Sequence, residues 1–174
     1  VGFMADISGS MEDAMEPMAV MAYVMSEAVR KVQGRTAMVY FGTDVFPTLR
    51  PGEHLTEVKV YTAPDGTERF EKGFQALDGA LNLLYGTGAR LLVVVSDGHY
   101  YGPENNKAKA IVKRCADMGV GVVWLPFDDG SQARALVGKN GTVLSGNLSP
   151  AAAAQDIGKA CADALTKAGQ RMAG

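Results

Sequence analysis

Short apolar runs alternate with longer stretches whose apolar residues recur every three or four positions, almost from the first residue to the last. An unbroken apolar run of four to eight residues suits a strand buried on both faces. The wider spacing suits a helix that buries one side. Val1 to Ala5 predicts a first strand. After a polar loop, Met18, Met21, Met25, Val29 and Val32 predict a helix from about Pro17 to Gln33, with Pro17 suited to its first turn and Gly34 to its end. Thr36 to Phe41 predicts a second strand, Val45 to Leu49 a short partner for it, and the alternating stretch Glu57 to Thr62 an edge strand. Phe74, Leu77, Leu81 and Leu84 predict the next helix, which Gly86 stops. Leu91 to Val95 is apolar without a break and predicts a fully buried strand.

The same alternation continues to the end. Asn105 to Met118 predicts a helix with Ile111, Val112, Cys115 and Met118 inward, and Val120 to Leu125 another buried strand. A short helix near Gln132 to Val137, a short strand at Thr142 to Leu144 and an alanine-rich helix from about Ser149 follow. In that last helix Ile157, Cys161, Ala164 and Leu165 are the expected core residues. Strand and helix in alternation imply an α/β fold: an open, doubly wound, mostly parallel, Rossmann-like sheet flanked by helices, with one antiparallel edge strand. No repeat or linker divides the chain, and 174 residues suit one domain with a substantial core.

Composition narrows the function classes. Hydrophobic residues make up 47% and charged residues 21%, and the formal charge is −2. Lys and Arg are scattered, so no basic stripe for nucleic acid is expected. No apolar run approaches the roughly 20 residues of a membrane-spanning helix. Cys115 and Cys161 form no CxxC or zinc spacing and read as small buried residues, which suits a reducing compartment. Val1 opens directly inside an apolar strand, which reads as a fragment of a longer chain.

In sheets of this kind ligands bind at the loops beyond the carboxyl ends of the central strands. Two such loops carry chemistry. Asp6-Ile7-Ser8-Gly9-Ser10-Met11 follows the first strand, and Ser96-Asp97-Gly98 follows the most hydrophobic one. Asp6, Ser8 and Ser10 alternate, so an extended or gently turning backbone points a carboxylate and two hydroxyls the same way. All are hard oxygen donors, suited to Mg²⁺, Mn²⁺ or Ca²⁺ and poorly suited to zinc or copper. Asp97 would add a second carboxylate, matching the charge of a divalent ion. Hydroxyl ligands would leave that ion electrophilic enough to recruit a carboxylate from outside.

The stretch Asp6-Ile7-Ser8-Gly9-Ser10 after a first strand resembles the Asp-x-Ser-x-Ser pattern of the metal-ion-dependent adhesion site in von Willebrand factor A (VWA) domains. Ser96-Asp97-Gly98 resembles the distal aspartate of that site, and the order of elements is similar over about residues 1 to 168. The resemblance implies a Mg²⁺-type centre at Asp6, Ser8, Ser10 and Asp97, completed by an Asp or Glu from a protein partner. One element departs. Counting back from Ala80-Leu81 places Gln75 where the family supplies a threonine, with Thr43 and Thr67 as other candidates. The stretch ending Leu77-Asp78-Gly79-Ala80-Leu81 is similar to the C-terminal domain of cobaltochelatase-type subunits. That implies an intracellular, cytoplasmic setting and a partner of the AAA+ ATPase class.

The expected function is therefore non-enzymatic, metal-dependent protein binding. An adhesive or surface-displayed domain with the same site is one alternative, and a domain with a degenerate site that binds by ordinary surface contacts is another. A serine hydrolase fits poorly: Ser8 and Ser10 form no Gly-x-Ser-x-Gly elbow, and His99 lies too close in sequence to Asp97 to be oriented by it. Tyr100, Tyr101 and His99 are expected on a partner-binding rim around the ion. Glu12, Asp13 and Glu16 suit the amino end of the helix they precede or begin.

Overall fold

The computed structural model describes residues 1–61, 69–145, 149, 151, 152, 155–160, 162, 163 and 166. Six strands form one sheet: β1 (Gly2–Asp6), β2 (Ala37–Phe41), β3 (Val45–Leu49), β4 (Leu91–Val95), β5 (Gly121–Leu125) and β6 (Thr142–Val143). Their spatial order is β3-β2-β1-β4-β5-β6. Every pairing is parallel except β2 with β3, so the single antiparallel strand sits at an edge. Helices include α1 (Met15–Lys31), α2 (Phe70–Leu81), α3 (Pro103–Asp117) and α4 (Ser131–Val137), and residues 155–160 are helical as well.

Alternate residues of the buried strands enter two separate cores, as the two-residue period of a strand requires. Phe3, Ala5, Val93 and Val95 face α1, where Met15, Met18, Met21 and Met25 line the helix. Met4, Leu92, Val94 and Trp124 face the opposite side, against Phe70, Phe74 and Leu77 of α2, Val112 of α3 and Leu136 of α4. The methionine stripe is thus core packing. Because α1 covers one face and α2 to α4 the other, the winding reverses between β1 and β4. In sheets of this kind ligands bind at the carboxyl ends of the strands that flank such a reversal.

Several boundaries differ from the sequence expectation. A 3₁₀ turn over Gly9–Ala14 precedes α1, so Pro17 is the third helical residue and not the first. Residues 57–61 form no strand, and Thr62 lies outside the described residues. Tyr61 instead packs edge-on against Tyr40 at 4.6 Å, and Lys59 lies over its ring. The alternating Val58 and Val60 are exposed. α2 ends at Leu81 on a left-handed Asn82, so Leu84 is buried in the following turn, where its amide donates to the Asp78 carboxylate. The Arg90 guanidinium donates to the carbonyls of Leu83, Leu84 and Met118, tying that turn to the end of α3. Of the residues expected to anchor the last helix, Ile157 is buried on the α1 side, while Cys161, Ala164 and Leu165 lie outside the described residues.

Candidate metal centre

Asp6 is the last residue of β1, paired in register with Phe41 of β2, and β4 lies on the other side. The Ile7 amide donates to the Phe41 carbonyl, which carries the extended backbone one residue further. Ile7 and Met11 are buried in the α1-side core. These two apolar anchors force the polar residues between them toward the strand ends. Ser8 is extended and almost fully buried, and its amide donates to Asp6 Oδ1 at 2.9 Å. The Met11 amide then donates to the Ser8 carbonyl and closes the turn that presents Ser10. The Ser8 and Ser10 hydroxyls lie 3.3 Å apart.

The second loop meets the first through Ser96. The Ser96 amide donates to the Leu125 carbonyl, and its hydroxyl donates to Asp6 Oδ2 at 2.7 Å. Ser96 Oγ accepts from the Gly98 amide and from the Tyr100 hydroxyl, and the Trp124 indole N–H donates to the Ser96 carbonyl. Asp97 is buried, and its Oδ1 accepts from the His99 amide. Between them Gly98 has φ +80°, and its α-carbon lies against the start of α4. A Cβ there would meet the Ala133 backbone nitrogen at 3.1 Å. The sharp turn at Gly98 keeps Asp97 at the strand end.

Burial pushes the Asp6 carboxyl up to about 6. The hydrogen bonds from Ser8 and Ser96 pull it back, and the nearby charge of Asp97 pushes it up further. Among the described residues, neither Asp6 nor Asp97 has an ion-pair partner. A fully buried carboxylate without a cation is costly unless something positive joins it.

The donor set fits a small hard cation. Adjacent ligands on an octahedral Mg²⁺ at about 2.1 Å stand about 3 Å apart, close to the 3.3 Å between the two serine hydroxyls. Among the described residues no group of three or more His, Cys, Asp or Glu could hold an ion. The expected set, the carboxylates of Asp6 and Asp97 with the hydroxyls of Ser8 and Ser10, is oxygen chemistry of the magnesium type and not of the zinc type.

Not every expected residue joins the cluster. Gln75 sits in the middle of α2, exposed, one position past the inward Gly73 and Phe74. Helix α2 begins one turn before Phe74, which places Gln75 at mid-helix with an exposed side chain. Thr43 is half-exposed in the β2–β3 turn, and Thr67 lies outside the described residues. Tyr100 is not on the rim. It is buried, with its ring among Phe41, Phe70 and Trp124 at centroid distances of 5.5 to 6.5 Å. Tyr101 is 79% exposed and His99 is exposed, with His99 Nε2 3.5 Å from Asp128 Oδ2. His99 thus turns to Asp128 and not to a serine. Sequence reasoning passed over Ser96, although a polar residue directly after a fully buried strand must find partners.

No protein-family model matches the sequence, and no curated protein matches it. Solved structures do match in shape. An aerotolerance-related membrane protein from Bacteroides fragilis, crystallised with several residues changed to serine, superposes with a TM-score of 0.67 at 16% identity, over 93% of this chain and 98% of that one. The VWA domain of SpRpn10 superposes with a TM-score of 0.62 at 10% identity, over 83% of this chain and 85% of that one. This chain has the VWA fold. Manganese-loaded TRAP protein from Plasmodium vivax is a third match, with a TM-score of 0.58 at 14% identity, over 84% of this chain and 68% of that one. Among the described residues of this VWA-fold chain, no helix is long and apolar enough to cross a membrane.

Proposed function

We propose that this VWA-fold domain is a divalent-cation-dependent protein-binding module and not an enzyme. The observation that carries the reading is the buried Asp6 carboxylate, without a cationic neighbour, beside the Ser8–Ser10 hydroxyl pair and the second carboxylate of Asp97. Asp6, Ser8, Ser10 and Asp97 would hold Mg²⁺ or Mn²⁺, some directly and some through water. Bound there, the ion supplies an electrophilic position for an Asp or Glu of the partner. The chain's own groups shape that encounter. Ser10, His99 and Tyr101 are all exposed, and on this reading they form the accessible rim.

An AAA+ ATPase as partner is supported only by the short likeness around Leu77 to Leu81. The cytoplasmic setting gains nothing from the fold neighbours, one of which is described as a membrane protein. Neither bears on the metal reading.

Calorimetric titration tests that reading, with Mn²⁺ as the probe because a fold neighbour is described as manganese-loaded. One saturable site is expected, and Asp97→Ala should weaken it by more than about tenfold, since it removes half the charge that balances the ion. No heat at millimolar Mn²⁺ would leave a degenerate scaffold that binds by surface contacts alone.

A further inference from the structure

We propose that Tyr100 is a positioning residue for the cation, acting through Ser96 on Asp6; the inference rests on the metal-binding reading above. The hydrogen-bond directions are forced. An ionised Asp6 can only accept, so the Ser96 hydroxyl must donate its one proton to Oδ2, 2.7 Å away. Ser96 Oγ then has two acceptor positions. The Gly98 amide fills one at 3.1 Å and the Tyr100 hydroxyl the other at 2.8 Å. With both filled, the Ser96 proton has nowhere else to point.

Three elements are locked by this one oxygen. Asp6 ends β1, Gly98 turns the loop that carries Asp97, and Tyr100 is the first aromatic residue beyond that loop. The Tyr100 ring is held in turn by Phe70, at the first position of α2, and by Trp124 of β5, whose indole N–H also fixes the Ser96 carbonyl. Phe70 and Trp124 stack at 5.5 Å with 12° between their planes. The aromatic cluster thus fixes the orientation of the first carboxylate through Ser96. Such outer partners commonly set ligand geometry as strongly as the ligands themselves.

The test measures Mn²⁺ affinity by calorimetry and metal-free melting temperature for four proteins: the unaltered chain, Tyr100→Phe, Ser96→Ala and Val112→Ala. Val112 is buried on α3 and serves as the control for plain destabilisation. Tyr100→Phe keeps the ring and should weaken Mn²⁺ by about three- to tenfold, the worth of one buried hydrogen bond. Ser96→Ala should weaken it by more than about tenfold. Val112→Ala should lower the melting temperature and leave affinity unchanged, a split that a merely structural role for Tyr100 would not produce. If the unaltered chain binds Mn²⁺ and Tyr100→Phe binds it equally well, the relay is overturned and the metal reading stands. If the unaltered chain binds no Mn²⁺, both are overturned.

Discussion

Replacing Asp6 with asparagine should make the metal-free protein more stable and abolish its response to Mn²⁺. The carboxylate is fully buried, and burial pushes it up to about 6 from an ordinary value of 3.8. The native state therefore holds the proton more tightly than the unfolded chain. By linkage, the contribution of Asp6 to stability is most favourable below the unfolded value, declines as pH rises through about 4 to 6, and is flat above. At neutral pH the ionised group then costs up to about 3 kcal/mol. Asparagine removes that cost and keeps an acceptor for the Ser8 amide. Its NH₂ would face Ser96 Oγ, which already accepts two hydrogen bonds, so part of the gain is lost in turning a hydroxyl over. The net rise should be about 1–2 kcal/mol at pH 7.5, read by urea unfolding in chelator, with little difference from the unaltered protein at pH 4. Saturating Mn²⁺ should then stabilise the unaltered protein only. A variant less stable than its parent at pH 7.5 would show that the buried charge is compensated by something other than a cation. The conflict is the ordinary one between stability and function: a site that keeps two carboxylates together is strained until its ligand arrives.

Gly98→Ala should cost about 3 kcal/mol and weaken Mn²⁺ binding with it. Two penalties combine. The left-handed backbone, at φ +80°, costs an L-residue about 1–2 kcal/mol. The new methyl would press on the backbone of α4, 3.1 Å from the Ala133 nitrogen and 3.2 Å from its Cα, and neither can swing aside as a side chain would; overpacking of this kind costs about 1–3 kcal/mol. Relief requires the loop to lift, and the loop carries Asp97. Gly52 is the internal control. It also has positive φ, at +94°, but a Cβ there meets nothing within 4 Å, so Gly52→Ala should cost only about 1 kcal/mol and leave metal affinity alone. Equal losses in the two variants would mean that contact with α4 does not position the loop.

What the sequence discloses differs by element, and the reasons are physical. The strands β1, β2, β4 and β5 are legible because a strand covered on both faces admits almost nothing but apolar residues, as Leu91 to Val95 shows. The same rule misleads at 57–61. There the alternating Val58 and Val60 are exposed, while Tyr61 and the preceding Leu55 rest against the core margin, without any ladder. α2 starts earlier than the spacing implies because Phe70, a full turn before Phe74, belongs to the same buried stripe; Gln75 is helical on either reading. Ser8 and Ser10 were legible as a pair from their spacing, and their hydroxyls lie 3.3 Å apart although Ser10 sits in the 3₁₀ turn and not on extended backbone. Tyr100 could not be assigned by spacing alone, since a tyrosine after a loop serves equally well as a rim contact or as a buried donor. Only the position of the Ser96 hydroxyl decides between them, and that depends on how β1, β4 and β5 come together.

The central claim is that oxygen atoms from two loops converge on one small cation, and crystals grown with Mn²⁺ test it most directly through anomalous scattering at the manganese edge. The account predicts a single strong peak at the carboxyl ends of β1 and β4, about 2.2 Å from the Ser8 and Ser10 hydroxyl oxygens and bound by Asp6 and Asp97 directly or through water. A peak elsewhere on the molecule, or none at this position at saturating Mn²⁺, would contradict it.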